Sequence, residues 1–176
     1  QESRLIYCKV SEGTGTTFWA ENDDAWVELN TDNPVGWSWV NQGKDFLWVS
    51  DKDGWRHIYK ISRDGKKAEL LTKGNYGIGA VKAVDEANNY IYFTASPSNA
   101  TQLYLYRVRI NGGKEDFEML SSDKLKGTHE YDISTNARIA KHTFSNHNTP
   151  PVTEWITLPD NRPFSSAKSI AANIKT

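Results

Sequence analysis

IYKISRDGKKAELL (Ile58–Leu71) lies over LYRVRINGGKEDFEML (Leu105–Leu120) with Tyr59 on Tyr106, Ile61 on Val108 and Gly65 on Gly112, an offset of 47 residues. Both segments alternate apolar and polar residues with the two-residue period of a strand, then break at Asp64-Gly65 or Asn111-Gly112. Those dipeptides tolerate the positive φ of a tight hairpin. One supersecondary unit therefore recurs along the chain.

The unit extends both ways. YCKVSEGTG (Tyr7–Gly15) repeats the strand, turn and glycine, with Lys9 and Val10 falling 51 residues before Lys60 and Ile61, and EWITLPDN (Glu154–Asn161) repeats it downstream. Each copy has an apolar partner upstream: Phe46-Leu47-Trp48-Val49, Tyr90-Ile91-Tyr92-Phe93 and the run Ile139–Phe144. Further strands are predicted at Leu5–Val10, Thr17–Ala20, Ala68–Thr72, Val81–Asp85, Glu115–Leu120 and Glu130–Ile133. Sustained helical periodicity is confined to the last dozen residues.

A period of about 45 residues with several antiparallel strands per repeat is that of a β-propeller blade. A single sandwich explains the turns but not the matching order within successive repeats. The predicted fold is all-β: a partial β-propeller of about three to four blades, repeat near 47 residues, with blade-like units at about 1–25, 26–80, 81–130 and 131–176 of one domain. Three complete repeats and the end of a fourth fit, whereas closed propellers typically carry about four to eight blades. The sequence is accordingly expected to be a piece of something larger. Half a propeller would expose two blade faces and an unpaired strand edge, which predicts self-association or marginal stability.

Composition supports the reading. Seven Trp, eight Tyr and six Phe against one Met favour pleated, half-buried surfaces. The 21 basic and 22 acidic residues are interspersed, leaving no basic stripe for nucleic acid. No run reaches the roughly 18 apolar residues of a membrane span, and the N-terminus QESRLIYCKV lacks a signal-peptide layout. Cys8 is the only cysteine and reads as a small apolar strand residue rather than a nucleophile. Asn99-Ala100-Thr101 matches the glycosylation acceptor triplet, which matters only in a glycosylating secretory route.

Candidate chemistry is sparse. Gly36-Trp37-Ser38-Trp39-Val40 approaches the G-x-S-x-G nucleophile elbow but ends in a β-branched residue and leads toward a strand, where the elbow must open a helix. His142 and His147 stand five apart, a spacing that neither strand nor helix turns into a ligand pair, and the scattered Asp and Glu have no calcium-loop spacing. No metal or cofactor is expected. Glu21-Asn22-Asp23-Asp24 reads as a solvated turn, and most of Trp26, Trp37, Trp39, Trp48 and Trp55 as core. In SDKDGWRHIYKISRDG (Ser50–Gly65), Asp51, Asp53 and Gly54 suit a tight turn, Trp55 and Tyr59 the packing faces, and His57 a hydrogen bond inside the blade.

The stretch FLWVSDKDGWRHIYKISRDGK (Phe46–Lys66) resembles the N-terminal β-propeller of the dipeptidyl peptidase IV family of serine peptidases. The resemblance continues in order through Asp24–Val27, Leu71–Tyr76, Tyr90–Ala95, Leu103–Val108, Gly127–His129 and Thr149–Val152, covering nearly all of the chain. It implies the later blades of an eight-bladed propeller from a periplasmic or extracellular enzyme that releases N-terminal dipeptides with proline or alanine second. The implied partners are a C-terminal α/β-hydrolase domain carrying Ser, Asp and His, the remaining blades, a peptide substrate and a homodimer mate. The tail Phe164–Thr176 resembles the segment before the last propeller strand. The family's paired glutamates lie in an earlier blade and do not map here. This chain is then expected to be non-catalytic, gating access and walling the cavity, with Leu29, Asn30 and Asp32 as candidate pocket residues in the loop Val27–Pro34. The alternative is a stand-alone propeller that binds peptide or glycan through its aromatics.

Overall fold

The computed structural model describes residues 1–28, 34–112 and 117–164. Its strands form four antiparallel sheets, one of two strands and three of four. β1 (Glu2–Lys9) and β2 (Thr14–Asn22) make the first hairpin. The second sheet is β3 (Trp39–Val40), β4 (Asp45–Ser50), β5 (His57–Ser62) and β6 (Ala68–Leu70). The third is β7 (Ile78–Asp85), β8 (Tyr90–Ala95), β9 (Tyr104–Arg109) and β10 (Glu118–Met119). The fourth is β11 (Thr128–Ile133), β12 (Ile139–Asn146), β13 (Thr149–Thr157) and β14 (Arg162–Pro163). Each four-stranded sheet is a meander whose spatial order follows chain order. The expected all-β, blade-like partial propeller is what forms.

The repeat survives as register. Asp45 pairs with Ser62, Tyr90 with Arg109 and Ile139 with Thr157, each opening the central hairpin of its blade. β4 and β8 are buried on both faces, which explains their continuous apolar runs: one face packs on the preceding sheet and the other on the following one. Phe46, Trp48, Tyr59 and Ile61 meet Leu5, Phe18 and Trp19 of the first hairpin. Leu47, Val49 and Ile58, on the opposite face, join Val81, Ile91, Phe93 and Tyr106 of the next blade. Tyr92 and Leu105 in turn reach Tyr131, Ala140 and Ile156 of the last. Backbone bonds pin successive blades: the Ile78 N–H donates to Arg56 O (2.8 Å) and the His129 N–H to Leu103 O (2.9 Å).

Several expectations change. Trp39–Val40 and Arg162–Pro163 are strands of two residues, too short for periodicity to register. Of the five tryptophans expected to be mostly core, Trp48 is core (1 % exposed) and Trp37 stacks on it at 5.1 Å, but Trp26, Trp39 and Trp55 are 64 %, 37 % and 46 % exposed. Trp55 lies in the turn beyond the strand ends, so it reaches neither packing face. Cys8 is on a strand as expected, yet faces solvent from a sheet that has two strands among the described residues. The expectation of helical periodicity at the C-terminus lies outside the described residues.

Candidate functional site

The ends of β2 and β4 converge with the turns that follow them, 23–28 and 51–56, around a cleft of about 280 Å³. Four carboxylates (Glu21, Asp23, Glu28, Asp51) and two cations (Lys52, Arg56) line it. The local sequence explains the geometry. Gly54, at φ 92°, lets the Asp51–Gly54 turn close with its N–H on Asp51 O (2.9 Å). Asp23 Oδ1 accepts from the Ala25 and Trp26 N–H groups (2.7 and 3.0 Å), which hold its carboxyl below the ordinary range.

At the floor, Glu21 accepts from Ser50 Oγ (2.8 Å) and Trp19 Nε1 (3.3 Å), while Ser50 Oγ takes the Lys52 N–H (3.1 Å). Lys52 Nζ lies 4.0 Å from the Tyr59 ring and 4.7 Å from that of Trp19. Burial lowers the pKa of this ammonium, with Glu21 and Asp53 acting in the opposite direction. Arg56 Nε donates to Asp51 Oδ1 at 3.3 Å. The rim carries exposed Trp26, whose indole N–H donates to Glu28 Oε2 at 2.9 Å. Such a cleft offers carboxylate acceptors, a guanidinium and an aromatic face, groups that bind extended polar ligands.

The hydroxyls here are committed elsewhere. Ser50 faces a carboxylate, and Ser38 Oγ donates to Val35 O (2.9 Å) ahead of β3, where a nucleophile elbow would open a helix. His57 is 1 % exposed. Its Nε2–H donates to Gly74 O (3.2 Å), and its Nδ1 meets Thr72 Oγ1 (3.1 Å). That is the internal role expected of it. His142 and His147 do not meet, since His147 sits exposed in the β12–β13 turn while His142 is buried. His142 contacts His129 instead (2.8 Å), a partner that linear spacing does not reveal. Among the described residues, no cluster of three or more His, Cys, Asp or Glu could hold a metal ion. Leu29, Asn30 and Asp32 lie outside the described residues, immediately after Val27 and Glu28 of the cleft rim.

The model of the dipeptidyl peptidase IV (DPP IV) N-terminal region matches residues 1–151. The chain belongs to this family. Among relatives of the dipeptidyl peptidase IV region, "Dipeptidyl peptidase 4" of Arthroderma otae is 33% identical over 91 residues, 50% of this chain and 11% of that protein. "Dipeptidyl peptidase 4" of Trichophyton rubrum is 34% identical over 91 residues, again 50% of this chain and 11% of that protein. The crystal structure of Porphyromonas gingivalis dipeptidyl peptidase 4 superposes with a TM-score of 0.73 and 22% identity over 90% of this chain and 22% of that one. At that identity the likeness speaks for the fold, and the region matched is a small part of each full-length relative. No described helix is long and apolar enough to cross a membrane.

Proposed function

We propose that this chain is the non-catalytic propeller segment of a dipeptidyl-peptidase-type serine exopeptidase that releases N-terminal X-Pro and X-Ala dipeptides outside the cytoplasm. The observation carrying the proposal is the family match over residues 1–151, joined to relatives named as dipeptidyl peptidases. In this reading the segment gates access and supplies one cavity wall, running from the cleft rim at Trp26 and Glu28 into Leu29, Asn30 and Asp32. Catalytic serine, histidine and aspartate belong to an α/β-hydrolase domain, which the Ser50 hydroxyl, bonded to Glu21, does not replace.

The test joins this chain to the remaining blades and the hydrolase domain of its gene and follows a Gly-Pro chromogenic dipeptide. Release is expected, and a well-folded full-length protein with no activity overturns the proposal. Alanine at Leu29, Asn30 or Asp32 should raise KM several-fold with kcat little changed, the pattern of lost uniform binding. The exposed indoles of Trp26 and Trp55 favour a second reading, a stand-alone propeller that binds peptide or glycan. The gene beyond Thr176 separates the two: a G-W-S-x-G elbow supports the peptidase, and a stop codon supports the binder.

A further inference from the structure

The first two blades put aromatic pairs at one cross-strand position that the last fills with ionisable groups. Trp48 faces Tyr59 and Phe93 faces Tyr106, each three residues in from the pair that opens its hairpin. The same place in the last blade holds His142 opposite Glu154. Burial is comparable: Trp48 is 1 % exposed, Phe93 0 %, His142 2 % and Glu154 8 %. An imidazole and a carboxyl in an aromatic pair's place must be hydrogen-bonded there to be tolerated.

The bonds form one chain. His129 Nε2 meets Leu125 O (2.7 Å), His129 Nδ1 meets His142 Nε2 (2.8 Å) and His142 Nδ1 meets Glu154 Oε1 (3.3 Å). Leu125 O can only accept, so His129 Nε2 carries a hydrogen. Three contacts need three hydrogens, and two neutral imidazoles supply two. Burial disfavours a charged imidazole at either histidine, so the third sits on the Glu154 carboxyl.

We infer that the buried His129–His142–Glu154 chain holds one proton that the unfolded polypeptide releases at neutral pH, making the last blade and its junction with the preceding one a pH-responsive element. The chain spans that junction. The His129 N–H donates to Leu103 O (2.9 Å), the Tyr104 ring of β9 lies 5.2 Å from that of His129, and Leu125 belongs to the loop joining the blades. Other titratable groups stand beside the chain. Tyr131 stacks on His142 at 4.4 Å, and burial pushes its phenol up to about 12; burial raises Tyr104 too, with Asp123 adding to the effect. Lys82 and Glu130 pair at 3.2 Å across the junction, and Lys141 pairs with Asp132 at 3.3 Å.

The sign follows from proton counts. Above the ordinary histidine range, the unfolded chain has two neutral imidazoles and an ionised carboxylate, one proton fewer than the folded unit. Stability therefore falls as pH rises, by about tenfold in the folding constant per pH unit, until the folded unit gives up its proton. On the acid side, burial first and then the neighbouring His129 hold His142 down to about 3, and burial lowers His129 as well. A second proton thus enters the unfolded chain first, and stability is also lost as pH falls below about 6.5. The optimum lies near neutrality.

The experiment measures denaturant unfolding of the chain from pH 5 to 10, in wild type and Glu154→Gln. The glutamine amide donates to His142 Nδ1 without titrating, so the variant should lose the tenfold-per-unit alkaline slope while keeping the acid limb. Parallel alkaline limbs in the two proteins would overturn the inference. Imidazole nitrogen NMR of the wild type decides independently of how the variant folds. The His142 Nδ1 signal should be shifted from the value of a free pyridine-type nitrogen at neutral pH and should move to it through the alkaline loss. A free pyridine-type signal at neutral pH sinks the idea.

Discussion

Gly65 shows how tightly a turn residue is constrained by a neighbouring sheet. Its φ is 70°, and a Cβ placed there would stand 1.6 Å from the carbonyl oxygen of Phe18 on β2. Gly65→Ala combines a left-handed alanine with a backbone collision, so β2 must move away from the β5–β6 turn. We expect a loss of about 2–4 kcal/mol, read as a lower denaturation midpoint with an unchanged m-value. Asp64-Gly65 announced the hairpin in the sequence because its chemistry is local. The collision with Phe18 was not legible, since it arises between residues far apart in the chain.

A hydroxyl after the fourth strand ties each of the first two complete blades together. Thr72 Oγ1 accepts the Ile58 N–H (2.9 Å) and meets His57, and Ser121 Oγ accepts the Leu105 N–H (2.7 Å) and meets Tyr131 OH (2.9 Å). Glu69-Leu70-Leu71-Thr72 and Glu118-Met119-Leu120-Ser121 carry it at corresponding places of the repeat. Thr72→Val keeps the volume and strands a buried N–H, so it should cost about 1–3 kcal/mol, measured by chemical denaturation. Thr72→Ser, which keeps the hydroxyl, should recover most of that loss. At this scale the repeat was readable because strand period and turn residues are sequence-local, whereas the role of the terminal hydroxyl emerges only from the structure. Only Trp39–Val40 and Arg162–Pro163 escaped, having too few residues to show a period.

Across the whole molecule, the blades stack in chain order, with the first hairpin against the second sheet. Among the described residues β1 and β2 pair only with each other, and Ile6 and Val10 are 54 % and 94 % exposed. Unpaired edges and exposed apolar side chains favour association, so light scattering at tens of micromolar should give a mass above that of one chain. A monodisperse monomer with a sharp, high melting transition would contradict this. The sequence by itself determined the blade repeat, its antiparallel turns, the family and the internal role of His57, because each is written in local period or in an ordered run of motifs. Tertiary structure alone decided which tryptophans are buried, which residues share the cleft of Glu21, Ser50 and Arg56, and that His142 meets His129 rather than His147. Those outcomes depend on strand register and blade stacking, which bring together groups whose separation along the chain carries no signal.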